Sequence, residues 1–171
     1  MNMLTNHWKK AIIILFTILI MILLLIHIPV LVISERDSDK QLFIPLVREK
    51  AFSLEYVHSV QKTPVQEHFV LAPDNQLLLT STHYQSYGVG LPYLPEEGNL
   101  VNDHGVFLLS GINRLFNEVN MGFMPLAKHG LIYHGKHYYF KNYFTSGALL
   151  QITVQEYSPI KTIWLMREGG K

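Results

Sequence analysis

The pattern of apolar and polar positions changes once along the chain, and the change is abrupt. Residues 11–33 form one apolar run broken only by Thr17, His27 and Pro29. Wound as a helix, a run of that length reaches about 34 Å, enough to cross a hydrocarbon core of about 30 Å. Pro29 is placed to bend or end such a helix, and His27 falls near the far interface, where an imidazole reaches water. Beyond a polar linker at 34–41, apolar residues recur at every second position, and no helical spacing persists beyond about two turns. The alternation predicts strands over 42–47, 51–58, 65–71, 76–84, 105–109, 130–134, 137–144, 147–157 and 160–166. Residues 72–75, 134–136 and 158–159 carry turn chemistry between them. Asn113 to Asn120 reads as one or two helical turns. Nine short strands in this arrangement predict an all-β domain, an antiparallel sandwich or partly open barrel, behind one transmembrane helix.

The organisation that follows is a cytoplasmic segment at 1–10, a transmembrane anchor at 11–33, a linker at 34–41 and a β domain at 42–171. Lys9 and Lys10 precede the run, and the near-neutral Ser34-Glu35-Arg36-Asp37 follows it. Positive charge stays inside, so the β domain is expected outside the cell membrane. Trp8 suits the inner interface. A cleaved signal peptide is the alternative, but the run is long for one and no small-x-small site follows it. All 13 acidic residues and all but two of the 14 basic ones lie after the run. That balance excludes nucleic-acid binding driven by basic charge. The chain has no cysteine, which excludes disulfides, thiolate metal sites and a thiol nucleophile.

Two polar residues fall in phase with apolar strand faces. Phe52, Leu54, Tyr56 and His58 share one face, as do Val65, Glu67, Phe69 and Leu71. A hairpin pairing Tyr56 with Phe69 would set His58 opposite Glu67, with Cβ atoms about 5 Å apart. The next hairpin would bring Thr80 opposite Glu67 and Thr82 opposite Val65. A buried carboxylate is costly unless paired, and an imidazole with two hydroxyls is a suitable set of partners. The cluster reads either as a pair that fixes register or as the polar end of a ligand pocket. Residues 88–105, with four glycines and two prolines, read as a lid over that pocket or as a solvated surface loop.

Nucleophile elbows, zinc-protease motifs, P-loops and dinucleotide fingerprints are absent. His129, His134 and His137 match no standard metal spacing, so no metal is expected, and with those fingerprints absent no other cofactor is expected. Ser59 and His58 are adjacent on a strand and point to opposite faces, a poor geometry for Ser–His chemistry. The aromatic run Tyr138 to Phe144 reads as core, with an aromatic ligand wall as the alternative.

Tyr56-Val57-His58-Ser59-Val60-Gln61-Lys62-Thr63-Pro64-Val65-Gln66-Glu67, followed by Ser86-Tyr87-Gly88-Val89-Gly90-Leu91-Pro92, resembles the bacterial family catalogued as domain of unknown function 1850. Members share a Y-x-H-S-V-x-x-T-P-V-x-E segment and a downstream S-x-G-x-G-L/M-P segment behind an N-terminal hydrophobic stretch. The usual G-A-G reads Gly88-Val89-Gly90 here. No activity is established for the family, so the resemblance transfers no catalytic residue. Its genes often neighbour those of TAXI-type tripartite solute transporters. The resemblance therefore implies an anchored accessory to uptake, with a transporter membrane subunit or a solute-binding protein as partner. It marks His58, Ser59, Thr63, Pro64, Glu67, Ser86, Gly88, Gly90 and Pro92 as motif positions, and Thr80 joins them from the pairing drawn above. The expectation is an extracytoplasmic binding or accessory protein. A small hydrolase or isomerase using His58 and Glu67, or a purely structural envelope protein, are the alternatives.

Overall fold

The computed structural model describes residues 2–85 and 98–168, with only the backbone of 2–6. Helix α1 (Asn2–Leu25) is followed by strand β1 (Ile28–Glu35) and ten more: β2 (Gln41–Pro45), β3 (Ala51–Val57), β4 (Pro64–Leu71), β5 (Leu77–Tyr84), β6 (Asn99–Asp103), β7 (Val106–Phe116), β8 (Val119–Gly122), β9 (Gly130–Tyr133), β10 (Lys136–Tyr139) and β11 (Leu149–Tyr157). A C-terminal helix α2 (Pro159–Glu168) closes the described chain. Two antiparallel sheets result, one ordered β2-β1-β11-β8 and one ordered β10-β9-β3-β4-β5-β7-β6. They pack face to face as the alternation predicts. Leu31, Ile33, Ile44, Leu150 and Ile152 from the smaller sheet meet Phe52, Leu54, Phe69, Leu77 and Leu131 from the larger in one core.

The apolar run is not one helix but a helix followed by a strand. Residues 7–25 are helical, long and apolar enough to cross a membrane, and unburied within the protein. By length and composition, an anchor and a signal sequence both meet that description. Residues 28–33 are instead the first six of the eight residues of β1, an inner strand of the smaller sheet. Leu31 and Ile33 face the main core, while Val30 and Val32 face a second cluster under α2 that includes Phe43 and Leu165. A strand covered on both faces loses its alternation and reads as a continuous apolar run. The expected linker at 34–41 is accordingly the end of β1 and a hairpin turn, with the Glu35 amide donating to the Lys40 carbonyl. Pairing of Ser34 with Gln41 extends that hairpin.

Other departures are local. Residues 160–166 are helical, not a strand. Ser158 caps the first turn, accepting from the Lys161 amide with its side chain and from the Thr162 amide with its carbonyl. Pro159 sits at the first helical position, where its missing N–H costs nothing. Phe140–Asn142 is a short 3-10 turn in place of the second half of the expected strand. Phe140 and Phe144 belong to the core. Residues 113–116 continue β7 and 119–122 form β8, so the expected helical turns are absent. The stretch 88–105 is not all loop, because Asn99–Asp103 pairs with β7 as β6. Gly98, at φ +155°, precedes it, and a Cβ there would press into the Ser110 backbone. Gly98, His104 and Gly105 are also described, and the rest of the expected lid, 88–97, lies outside the described residues.

Candidate functional site

The β3–β4 hairpin is tighter than the pairing of Tyr56 with Phe69 requires. Val57 pairs with Pro64, Tyr56 with Val65, Leu54 with Glu67 and Phe52 with Phe69. Both strands keep their faces, but Glu67 lies four residues' worth of register away from the pairing that set it against His58. The turn supplies the reason. The His58 amide donates to the Thr63 carbonyl, and the Lys62 amide donates to the His58 carbonyl. The Val60 and Gln61 amides both donate to His58 Nδ1, at 3.3 and 3.2 Å. Lys62 takes the left-handed conformation at φ +58°. His58, buried, thus fills the inside of its own turn, Ser59 is exposed on it, and Thr63-Pro64 leads into β4. Proline is at home in the first position of a strand.

Glu67 meets other partners. It pairs across β4–β5 with Thr82, not Thr80: Leu71 pairs with Leu77 and not Gln76, which moves the register by one residue, and the shift between His68 and Phe69 moves it by another. Thr80 sits at that bulge and donates its hydroxyl to the His68 carbonyl at 3.1 Å. Thr82 is fully buried, and its hydroxyl has no hydrogen-bond partner among the described residues. The Tyr56 hydroxyl donates to Glu67 Oε1 at 3.3 Å. Burial raises the Glu67 pKa above the usual carboxylate range, and the Tyr56 hydrogen bond offsets part of that rise. Burial, then the neighbouring carboxylate, raises Tyr56 as well.

Tyr56, Glu67 and Thr82 line a crevice of about 400 Å³ between the sheets. Leu54, Phe69, Leu79, Ile112, Phe116, Val119 and Met121 supply apolar wall, and Arg114, Asn120 and His129 add polar groups. The His129 ring lies 5.8 Å from that of Tyr56, and burial lowers its pKa. The size suits a small organic molecule, and the lining suits one with an apolar body and a hydrogen-bonding head. Of the residues singled out from sequence, Glu67 and Thr82 come together here. His58, Ser59, Thr63 and Pro64 build the turn, Thr80 holds the bulge, and Ser86, Gly88, Gly90 and Pro92 lie outside the described residues.

A second polar arrangement on the outer face of the larger sheet escaped the sequence reading. Ser53 Oγ lies 2.7 Å from His68 Nδ1, and His68 Nε2 lies 3.0 Å from His83 Nδ1. Burial, then the adjacent His83, holds His68 below the ordinary histidine range. His83 reaches the wall of an outer trough of about 890 Å³, which Glu55, Gln66, Lys128 and Tyr139 also line. Such a chain can share a proton along its length. With the observed register in hand, Ser53 opposite His68 is the sequence signal that would have shown it. His137 bonds Glu55 at 2.9 Å and His134 approaches Glu49 at 3.6 Å. Among the described residues, no three His, Asp or Glu side chains converge to hold a metal ion.

A family model described as "Domain of unknown function (DUF1850)" matches residues 52–140, just over half of the chain. The chain belongs to the DUF1850 family. No curated protein and no solved structure matches it. The DUF1850 span contains Tyr56, Glu67, Thr82, Arg114, Asn120 and His129, so the polar lining of the crevice falls within it. Strands β1, β2 and β11, which build most of the smaller sheet, fall outside.

Proposed function

We propose that this DUF1850 protein is a membrane-anchored extracytoplasmic binding module serving tripartite solute uptake. Its crevice takes a small amphipathic molecule by a hydroxyl or carboxyl group. The observation that carries the reading is the placement of Glu67 directly across the strands from Thr82, whose fully buried hydroxyl has no hydrogen-bond partner among the described residues, in the lining of the crevice. A buried polar group without a partner is costly in a finished core and useful where a ligand completes the hydrogen bonding. The apolar helix and its flanking lysines support the anchor and its orientation. The association with uptake rests on the gene neighbourhood that the family implies. Crosslinking in native membranes, followed by mass spectrometry of what copurifies with the full chain, tests the partner. A transporter membrane subunit or a solute-binding protein is expected. Their absence, with a control complex crosslinked efficiently, contradicts the accessory role.

A hydrolase or isomerase built on His58 and Glu67 loses its basis, because the two are not paired. One observation favours a different catalytic reading: the Ser53 hydroxyl is hydrogen-bonded to His68. Ser53 and His68 line none of the described concavities, however, and binding is the reading favoured here. Fluorophosphonate labelling abolished by Ser53→Ala would reverse that preference.

A further inference from the structure

We infer that helix α2 is a second membrane contact, lying in the headgroup boundary of the outer leaflet beside the point where α1 emerges. The inference rests on the anchor reading above. Helix α2 has two apolar faces on opposite sides. Thr162, buried, and Leu165, packed on Val30, Val32 and Phe43, face the protein. Ile160, Ile163 and Trp164, at i, i+3 and i+4, lie on the other side and are 49%, 57% and 58% exposed. Arg167 completes that row, and the ammonium of Lys161 lies over the Tyr157 ring, 4.5 Å from its centroid. An apolar stripe with tryptophan and flanking cations is the composition of an interfacial helix.

Topology says what covers the stripe. Ile28, three residues past the end of α1, pairs with Tyr157, two residues before the start of α2. The two helices contact one another. Three extended residues reach about 10 Å at most, so a domain anchored by α1 has no slack to stand clear of the bilayer. Headgroup regions add roughly 5–8 Å to each side of the hydrocarbon core. The exposed face of α2 therefore continues the surface that the anchor already places in lipid.

The chain has two tryptophans, Trp8 in α1 and Trp164 in α2, and both are exposed within the protein. Substituting either by Phe leaves the fold intact and isolates the other as a reporter. The full chain carrying Trp8→Phe or Trp164→Phe is reconstituted in phosphatidylcholine–phosphatidylglycerol vesicles containing dibrominated lipids. Trp164 is expected to emit to the blue of its aqueous maximum and to be quenched several-fold more by bromines at carbons 6 and 7 than at 11 and 12. Trp164 quenched by aqueous iodide and untouched by bromolipid, while Trp8 stays lipid-quenched, overturns the inference and leaves the anchor standing. That is also the outcome expected if a protein partner, and not lipid, covers α2. Loss of lipid quenching at both tryptophans overturns the anchor and the inference together.

Discussion

The two halves of the apolar run are built from the same residue types and meet opposite environments. Ile12 to Phe16 and Leu24 to Ile26 are each about half exposed or more, whereas Val30 to Ile33 are essentially sealed. Hydrophobicity gives the preference of both halves for an apolar surrounding and does not say whether lipid or protein supplies it. What separates them is composition at the join and partners far along the chain. His27, with Nδ1 2.9 Å from the Leu25 carbonyl, stands at the helix end. Pro29 follows in β1, and β11, more than a hundred residues later, pairs with every residue from Ile28 to Glu35.

Truncation breaks the comparison most severely. Removing residues 1–26 is expected to leave a cooperatively folded domain, and removing 1–33 to abolish folding, because it takes out the strand between β2 and β11. Circular dichroism melts of the two products check this. Single substitutions sharpen the same contrast. Leu31→Ala, at a fully buried position, is expected to cost about 2–5 kcal/mol through lost burial and a residual cavity. Leu19→Ala, on the exposed helix, leaves the melting temperature of the domain unchanged.

How much of this was legible in sequence follows from the same contrast. The strands with one solvated face, such as β3, β4 and β5, show their alternation, and the two-sheet architecture followed from them. Strand β1 is covered on both faces and looks like part of an anchor. Helix α2 is also apolar on two sides, so its spacing passes for a strand, although Ser158-Pro159 carries the capping chemistry. At the site, strand faces were legible and register was not. An even shift in pairing keeps Glu67 inward and exchanges every partner it has. The information that fixes that register lies in the His58–Thr63 turn, whose histidine accepts from the Val60 and Gln61 amides, and in the bulge at Thr80. Neither is visible in period-two alternation.

The remaining predictions concern polar groups placed among those apolar faces. Burial keeps the Glu67 carboxyl protonated to higher pH in the folded chain than in the unfolded one. Below the ordinary carboxylate range both states hold the proton. As pH rises through the folded pKa, the charged form weighs against the fold. Glu67→Gln is therefore expected to raise the melting temperature by a few degrees at pH 7, with the gain vanishing near pH 4. His68 has the opposite sign. Its folded pKa lies below the unfolded one, so stability is full above about pH 6.5 and falls as the unfolded chain takes up the proton first. His68→Gln is expected to shallow that acid-side fall by a smaller amount, measured as the slope of melting temperature against pH between 7 and 5. His129, shifted in the same direction by burial, retains the rest of it.

The most direct test of the crevice as a binding site is native mass spectrometry of the full chain purified from the cells that make it, beside Glu67→Gln and Thr82→Val. The account predicts a small molecule retained on the wild-type chain and lost, or strongly depleted, in both variants while they remain folded. Identical mass spectra for all three, with the wild type free of any retained molecule or with one held equally by the variants, would contradict it.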